Sequence, residues 1–209
     1  MADASLRRGP EPRSPLRSGT TPTGAQGLLV DDLCLLPKVL VRSADPTGTA
    51  RELGTRFGRA TVAGARLMVG SGPDEWFVIG DSDETAGDIG AELASRCTGF
   101  VSVIDLTHGR ALVRLRGPAV RTVLPRLTAF DLDDRLVPNG AAWRTSLASL
   151  VVDLVRDDVD SHPSYLLHCE RSSGRYLVDT ILAAGADVGA TLLAQPRSTW
   201  RTPSTSTTG

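Results

Sequence analysis

The chain lacks most of the features that mark exported, membrane-spanning or disulfide-linked proteins. Only three cysteines occur in 209 residues, Cys34, Cys97 and Cys169, and they lie far apart without a CxxC pair. Distant cysteines in odd number argue against a disulfide framework and a zinc ribbon, and favour a reducing compartment. No apolar run approaches the roughly 20 residues of a membrane span, and no apolar segment follows the N-terminal arginines. These absences predict a soluble, cytoplasmic protein.

A large charge of either sign is also absent, because 23 basic and 24 acidic residues give a formal net charge of −1. No global field therefore favours nucleic acid or an anionic membrane as a partner. Lys38 is the only lysine, so arginine supplies almost all of the positive charge. An arginine bias suits carboxylate or phosphate contacts across an interface, and it equally reflects the base composition of a gene. The arginines scatter along the sequence and predict no basic patch.

Both ends of the chain have the composition of disordered segments. The first 26 or so residues and the stretch after about residue 195 are rich in Arg, Pro, Ser and Thr, with Trp200 as an apolar exception. Such segments bury too little apolar surface to offset the entropy of ordering. We therefore predict a disordered arm over 1–27, a single domain over 28–190 and a disordered tail over 191–209.

Between these ends the pattern of elements repeats once. The order strand–helix–strand–strand–helix occurs in residues 28–98 and again in residues 99–190. Predicted strands cover 38–44, 64–70, 75–80, 110–117, 147–158 and 164–171, and predicted helices cover 45–57, 81–97, 118–130 and 172–189. An extra strand over 99–109 joins the halves. The order predicts an α+β fold of two ferredoxin-like β-α-β-β-α halves that share a mixed, mostly antiparallel sheet.

Two acidic stretches resemble functional sites, and each has a plainer structural interpretation. Asp74 and Glu75 are adjacent at the start of a strand, so they point to opposite faces and do not act as a pair on one atom. The run 81–92 has the spacing of a calcium loop, but its glycine comes one place late for the sharp turn. Asp81 with Glu84 fits a helix capping box instead.

The motifs of self-contained catalytic and cofactor sites are missing as well. No serine lies in a GxSxG elbow, no GK[ST] phosphate loop occurs, and no glycine-rich dinucleotide loop has a βαβ context. His108 and His162 fall at predicted turns, whereas His168 lies inside a strand, where a half-buried structural role is the default. Three isolated histidines lack ligand-like spacing. The residues therefore indicate no catalytic centre and no metal site on this chain.

A family resemblance begins in residues 102–145, SVIDLTHGRALVRLRGPAVRTVLPRLTAFDLDDRLVPNGAAWRT. The run is similar to the aminomethyltransferase-type folate-binding family, with an Asp-containing strand, a second strand, GP at a helix start, a leucine-rich helix, then DL and a Gly. Over roughly 14–189 the chain resembles one branch more fully, the gamma subunits of heterotetrameric sarcosine oxidases. SPL, LLPKVLVRSADP, GPDEWFVIG and SYLLHCERSSGRYLVDTIL carry that resemblance.

The resemblance implies a non-catalytic accessory subunit that supports the assembly and stability of an oxidoreductase complex. Its partners would be alpha, beta and delta subunits, with no nucleic acid and no membrane. Such a complex oxidatively demethylates sarcosine to glycine, produces hydrogen peroxide and transfers the one-carbon unit to tetrahydrofolate. FAD, FMN, NAD, tetrahydrofolate and zinc are expected on the other subunits, and no cofactor is expected on this chain alone.

An accessory role requires a contact surface, for which the sequence offers five candidates: Trp76, Arg110, Arg114, Arg116 and Trp143. Arg114 and Arg116 share a strand face, an arrangement that suits paired carboxylates on a partner and equally a solvated strand edge.

The alternative is a free-standing folate-binding protein of the aminomethyltransferase type. Asp105 and Asp153 are the candidates for holding the pterin. The resembling family carries an acidic pair in the strand that aligns with LVVDLV, whereas here Val152 stands beside Asp153. A solvent-facing position is also consistent with Asp153 in an alternating strand. A third possibility, an orphan scaffold that kept the fold and lost its partner, also stays open.

Overall fold

The computed structural model describes residues 12–16, 27–97 and 99–193. Its strands are β1 (Leu29–Asp32), β2 (Lys38–Ser43), β3 (Ala60–Ala63), β4 (Arg66–Gly72), β5 (Glu75–Ile79), β6 (Val101–Asp105), β7 (Arg110–Arg116), β8 (Ala142–Leu147), β9 (Leu150–Arg156), β10 (Tyr165–Glu170) and β11 (Thr191–Leu193). Its α-helices are α1 (Pro46–Leu53), α2 (Ala86–Arg96), α3 (Val120–Val123) and α4 (Gly174–Ala184), with short 3-10 turns at Leu124–Arg126, Arg171–Ser173 and Ala186–Val188. The predicted α+β class is confirmed.

The strands form two sheets. The first has the order β3-β4-β5-β2-β6 and the second β11-β1-β7-β10-β9-β8. The strand pairs are antiparallel apart from the parallel pair of β1 with β11. The predicted mixed, mostly antiparallel pairing is therefore present, but it is divided between two sheets rather than shared in one. Each sheet is apolar on both faces, so it needs a second sheet on one side and helices on the other.

Three apolar clusters give the molecule a helix–sheet–sheet–helix layering. The helices α1 and α2 cover the outer face of the first sheet, where Leu53, Ile89 and Leu93 pack. The helices α3 and α4 cover the outer face of the second sheet, where Val123 and Ile181 pack. The two inner faces meet through a third cluster, which contains Leu40, Leu67, Val69, Phe77, Ile79, Leu112, Val155 and Leu166.

Each sheet contains one copy of the predicted repeat, extended by strands that the sequence did not indicate. The order β-α-β-β-β-α-β runs from β2 to β6 and again from β7 to β11. The added strands are β3 in the first copy and β8 and β11 in the second. The two-residue turn between β8 and β9 could not be recognised in the sequence. Its residues Ala148 and Ser149 have left-handed φ values of 52° and 65°, and such a turn is usually recognised by Gly or Asn at these positions.

One strand crosses from the start of the chain into the second copy. In the first sheet β6 pairs directly with β2, whereas in the second sheet β1 lies between β7 and β11. The strand predicted to join the halves, observed as β6, belongs to the first sheet. The two copies are therefore tied together by β1, whose backbone is paired on both sides by the second copy.

Two predicted helices begin later than the sequence suggested. α2 starts at Ala86 because the Thr85 side chain accepts a hydrogen bond from the Asp88 backbone amide and caps it. Asp81 and Glu84 form a turn before the helix instead of its capping box. α4 starts at Gly174 after the 3-10 turn, and Ser173 makes no side-chain cap bond.

A proline shortens the helix predicted over 118–130. Only Val120–Val123 is α-helical, and Leu124–Arg126 continues as a 3-10 turn. Pro125 has no amide hydrogen to donate, and its ring clashes with the preceding turn, so the α-helix ends there.

Parts of both predicted disordered ends pack against the domain. Leu16 packs on the second sheet's outer cluster, and Arg171 Nη2 donates to the Arg13 carbonyl at 2.5 Å. At the other end, β11 occupies the first residues of the predicted tail. The remaining parts of these predictions, at 1–11, 17–26 and 194–209 with Trp200, lie outside the described residues. No helix in the described part is long and apolar enough to cross a membrane.

Candidate functional site

A group of charged side chains lies between the two sheets, beside their apolar contact. Asp153 on β9 is 4% exposed and faces the first sheet. Arg110 Nη2 donates to its Oδ2 at 2.7 Å, and Arg144 Nε donates to its Oδ1 at 2.7 Å. His168 Nδ1 lies 3.5 Å from Oδ2. We call Asp153, Arg110, Arg144, His168 and Glu75 the Asp153 cluster.

Strand register explains why these residues meet. The pairing of β8 with β9 places Arg144 directly opposite Asp153, and the pairing of β10 with β9 places His168 opposite on the other side. Alternation sends Val152 and Leu154 to the helix-covered face, where both are fully buried. The solvent-facing position considered for Asp153 is therefore wrong, and Val152 lies on the opposite face of the strand.

The cluster joins the second sheet to the first through Glu75 on β5. Arg144 Nη2 lies 3.3 Å from Glu75 Oε1, and Arg42 Nη2 lies 2.8 Å from Oε2. The Phe77 ring meets the His168 ring edge-on at 4.5 Å between centroids. Ion pairs and a ring contact therefore span the two layers, and Glu75 links the first sheet to the second.

Opposing effects set the ionisation of the two carboxylates. Burial alone would raise the pKa of Asp153, but hydrogen bonds from His168 and Arg144 outweigh it and lower the pKa below its usual value. Burial would likewise raise the pKa of Glu75, and hydrogen bonds from Arg42, Ser71 and Arg144 lower it. Both groups are anionic at neutral pH, and a carboxylate with a lowered pKa is a weak proton acceptor.

His168 completes the cluster as a neutral imidazole. It is 3% exposed, and burial lowers its pKa to about 4. Its Nε2 has no hydrogen-bond partner among the described residues. The ring is shielded from solvent, so His168 is positioned to support Asp153 rather than to exchange protons with a substrate.

Burial also makes other titratable side chains in the core poorly suited to react. Lys38 Nζ donates to the carbonyls of Cys34 at 2.8 Å and Leu36 at 2.7 Å, and burial lowers its pKa to about 8. Burial raises the pKa of the Cys34 thiol to about 12 and that of Cys169 to about 11. Thiols with raised pKa values are poor nucleophiles. Among the described residues no group of His, Cys, Asp and Glu is arranged to hold a metal ion.

Three of the residues predicted to contact a partner make their interactions within this chain. Trp76 is 1% exposed, and its Nε1 donates to the Thr55 carbonyl at 3.1 Å, so it is buried in the domain. Arg114 is buried and binds Asp157 and Ser164. Arg116 binds the carboxylate of Asp31. Arg114 and Arg116 do share a face, but carboxylates of this chain occupy both guanidinium groups.

The remaining predicted residues are scattered. Arg110 belongs to the Asp153 cluster, and Trp143 is partly buried beside Phe130, with ring centroids 4.8 Å apart. Asp105 is exposed at the end of β6, where its Oδ1 accepts from the Thr107 amide at 2.8 Å. The two folate candidates thus differ in environment, since Asp105 faces solvent and Asp153 is enclosed by guanidinium groups.

A second feature is a surface groove of about 650 Å³ between α1 and β3. Arg51, Arg56 and Arg59 line it together with Phe57, whose side chain is 55% exposed. Among the described residues, no carboxylate lines this groove. The prediction that the arginines form no patch is therefore wrong, because the helix end and the following turn bring three of them together.

Sequence reasoning missed Arg144 and Glu75 as cluster members and the groove arginines altogether. The role of Arg144 depends on the β8–β9 hairpin, which the sequence did not predict. The register of that hairpin places Arg144 opposite Asp153. The pattern R-x4-R-F-x-R over 51–59 was the available signal for the groove, but its meaning depends on the Gly54 turn that ends α1.

The chain is similar to aminomethyltransferases in sequence. It is 29% identical to the aminomethyltransferase of Geobacillus thermodenitrificans over 123 residues, which are 59% of this chain and 33% of that protein. It is 29% identical to that of Geobacillus kaustophilus over 120 residues, which are 57% of this chain and 32% of that protein. The matched part spans about a third of the length of these curated relatives. No family model matches the chain.

Solved structures show a closer match in size. A chain of the heterotetrameric sarcosine oxidase from Corynebacterium sp. U-96 matches with a TM-score of 0.68 and 20% identity, over 80% of this chain and 88% of that one. Aminomethyltransferase T of the glycine cleavage system from Bartonella henselae matches with a TM-score of 0.63 and 13% identity, over 81% of this chain and 48% of that one. The chain has the aminomethyltransferase-like fold, in agreement with the resemblance found in its sequence.

Proposed function

We propose that this chain is a non-catalytic accessory subunit of a sarcosine oxidase complex. The observation that carries the proposal is the match in size. The chain covers 88% of a chain in a heterotetrameric sarcosine oxidase, but only 48% of a solved aminomethyltransferase. We take the coverage of most of that subunit-sized chain as the support for the proposal.

The geometry of the Asp153 cluster supports a structural role for this enclosed carboxylate. Both oxygens of Asp153 already accept from arginine side chains, which leaves little capacity to hold a pterin. The cluster links the two sheets, so its ion pairs stabilise the packing of one sheet against the other. On this account the chain contributes stability and a surface, and other subunits contribute the chemistry.

The proposed complex would contain alpha, beta and delta subunits and would work in the cytoplasm. It would oxidise sarcosine to glycine with FAD, FMN and NAD, and would transfer the one-carbon unit to tetrahydrofolate. The zinc, like the flavins, would belong to the other subunits. No cofactor is proposed on this chain itself.

Co-purification tests the proposal. The tagged chain is expressed with candidate alpha, beta and delta subunits, and in parallel the three are expressed without it. A yellow, stoichiometric complex that oxidises sarcosine and fails to assemble without this chain is the expected result. A complex that forms with full activity and full stability in the absence of the chain would contradict the accessory role.

The second candidate is a free-standing folate-binding protein, favoured by the 29% identity with aminomethyltransferases. Titration of the isolated chain with tetrahydrofolate separates the two candidates. Saturable binding that is lost in Asp153→Asn, but kept in Asp105→Asn, would favour the folate candidate. The accessory proposal expects no saturation in either case.

A further inference from the structure

Most arginines that the structure describes have a carboxylate partner, and three of the five that have none lie together in the groove, the other two being Arg13 and Arg171. Ion pairs occupy arginines on both sheets and on the helices: Arg42, Arg66, Arg96, Arg110, Arg114, Arg116, Arg121, Arg126, Arg135, Arg144, Arg156 and Arg175. Arg51 and Arg56 make no ion pair with the described residues, and Arg59 donates only to the Asn139 carbonyl, at 3.3 Å. Three unneutralised cations therefore share one groove.

The groove also presents an apolar side chain at its centre. Phe57 lies between Arg56 and Arg59 in sequence, is 55% exposed and lines the same groove. An exposed aromatic ring surrounded by arginines has the composition of a protein contact, because aromatic residues and Arg are enriched in the cores of interfaces.

The segment that carries these residues is held in place before any partner binds. Phe57 forms a backbone bridge with Gly70, and an ideal Cβ at position 70 would lie 2.2 Å from the Arg56 carbonyl oxygen. The buried Trp76 holds the Thr55 carbonyl from below. A preorganised contact segment loses little conformational entropy on binding.

We propose that this groove is the docking site for an acidic segment of a partner subunit, one that also carries a large apolar side chain for Phe57. The inference rests on the proposed accessory function and assigns its contact surface. Carboxylates of the partner would pair with Arg51, Arg56 and Arg59, in the way that carboxylates of this chain occupy the other arginines. Bidentate arginine–carboxylate pairing gives such a contact both strength and orientation.

The chain's own tail does not fit the groove. Residues 194–209 contain two arginines and no Asp or Glu, so the tail would add positive charge to a positive groove. A second copy of this chain is the other candidate occupant of the groove, because its exposed acidic side chains can pair with the groove arginines of another molecule. The experiment below distinguishes it from a partner subunit.

Charge reversal in the groove tests the proposal within the tagged assembly. The groove variant is Arg51→Glu with Arg56→Glu, and the matched control is Arg135→Glu with Arg175→Glu, which changes the net charge equally at exposed sites. Wild-type and control chains should assemble equally with the alpha, beta and delta subunits. The groove variant should bind at least about tenfold more weakly, because like charges now face each other across the contact. Phe57→Ala should weaken assembly without changing its dependence on salt.

The outcomes distinguish this inference from the proposed function. If the wild-type chain assembles and the groove variant assembles equally well, the groove assignment is overturned and the accessory function stands. If the wild-type chain does not assemble, the accessory function fails and the groove assignment fails with it. Sedimentation of the isolated chain completes the test, since a wild-type dimer that the groove variant converts to monomer would assign the groove to a second copy instead.

Discussion

Asp153 accepts from two guanidinium groups in the inner layer. Asp153→Asn keeps the shape of the side chain but leaves the largely buried Arg110 with reduced compensation, whereas Arg144 is half-exposed and keeps its ion pair with Glu75. Breaking a buried ion pair on one side costs about 3 kcal/mol of unfolding free energy. Chemical denaturation should therefore show a loss of about this size.

Asp105→Asn is the control for that measurement. Its side chain is exposed, and the amide oxygen of Asn can still accept from the Thr107 amide, so the expected change is within about 0.5 kcal/mol. Equal losses in the two variants would contradict the structural role assigned to the Asp153 cluster.

His168 makes the stability of the chain depend on pH. Its pKa is lowered to about 4 by burial, against about 6.5 for an exposed imidazole, so the unfolded chain binds a proton that the folded chain excludes. Stability from this residue is full above about pH 6.5 and is lost as pH falls towards 4, by up to about 3 kcal/mol. The expected observation is an unfolding free energy that falls between about pH 6.5 and about pH 4.5, and that depends less on pH in His168→Gln.

Two comparisons make the pH experiment specific. Urea denaturation of His168→Gln is compared with wild type and with His162→Gln, which removes one imidazole from an exposed turn. Parallel pH profiles for wild type and His168→Gln would rule out His168 as the source of the slope.

Among the elements, the hairpin of β8 and β9 carries backbone strain that a single substitution relieves. Ser149 is exposed and has φ 65°, a left-handed conformation that costs a non-glycine residue about 1 kcal/mol or more. Ser149→Gly removes this strain but adds freedom to the unfolded chain, so the net gain in unfolding free energy should be about 0.5 kcal/mol.

The opposite substitution is the control for the hairpin. Gly64, between β3 and β4, has φ 62° and open space around it, so Gly64→Ala should destabilise the chain through backbone strain alone. Thermal unfolding measures both changes, and a stabilising Gly64→Ala would show that the left-handed turns are not the source of strain.

Elements with strong local signals were predictable, and those set by tertiary pairing were not. Asp45 and Pro46 are a local signal for the start of α1, and the alternation of residues 165–169 is a local signal for the two faces of β10. β1 and β11 were missed because both are short and gain their stability from pairing with each other across the length of the chain. The same limit applied to the candidate sites, since strand register places Arg144 beside Asp153 and a helix end brings Arg51 towards Arg56.

At the scale of the whole molecule, the chain is a pair of repeated units whose inner layer contains ion pairs between its own side chains. Among the described residues, three arginines without an ion pair lie together on the surface, in the groove. Both oxygens of Asp153 accept from arginines of this chain. The proposed accessory function therefore predicts that subunit contacts use the surface and that the Asp153 cluster takes no part in catalysis.

The most direct test of this account is the rate of sarcosine-dependent hydrogen peroxide formation per assembled complex containing Asp153→Asn. The account predicts a lower yield or thermal stability of the complex, but a rate per complex within about twofold of wild type. General acid–base groups contribute about 100-fold or more to rate. A complex that assembles in full and loses about that much activity would contradict the account, and would place Asp153 in the chemistry.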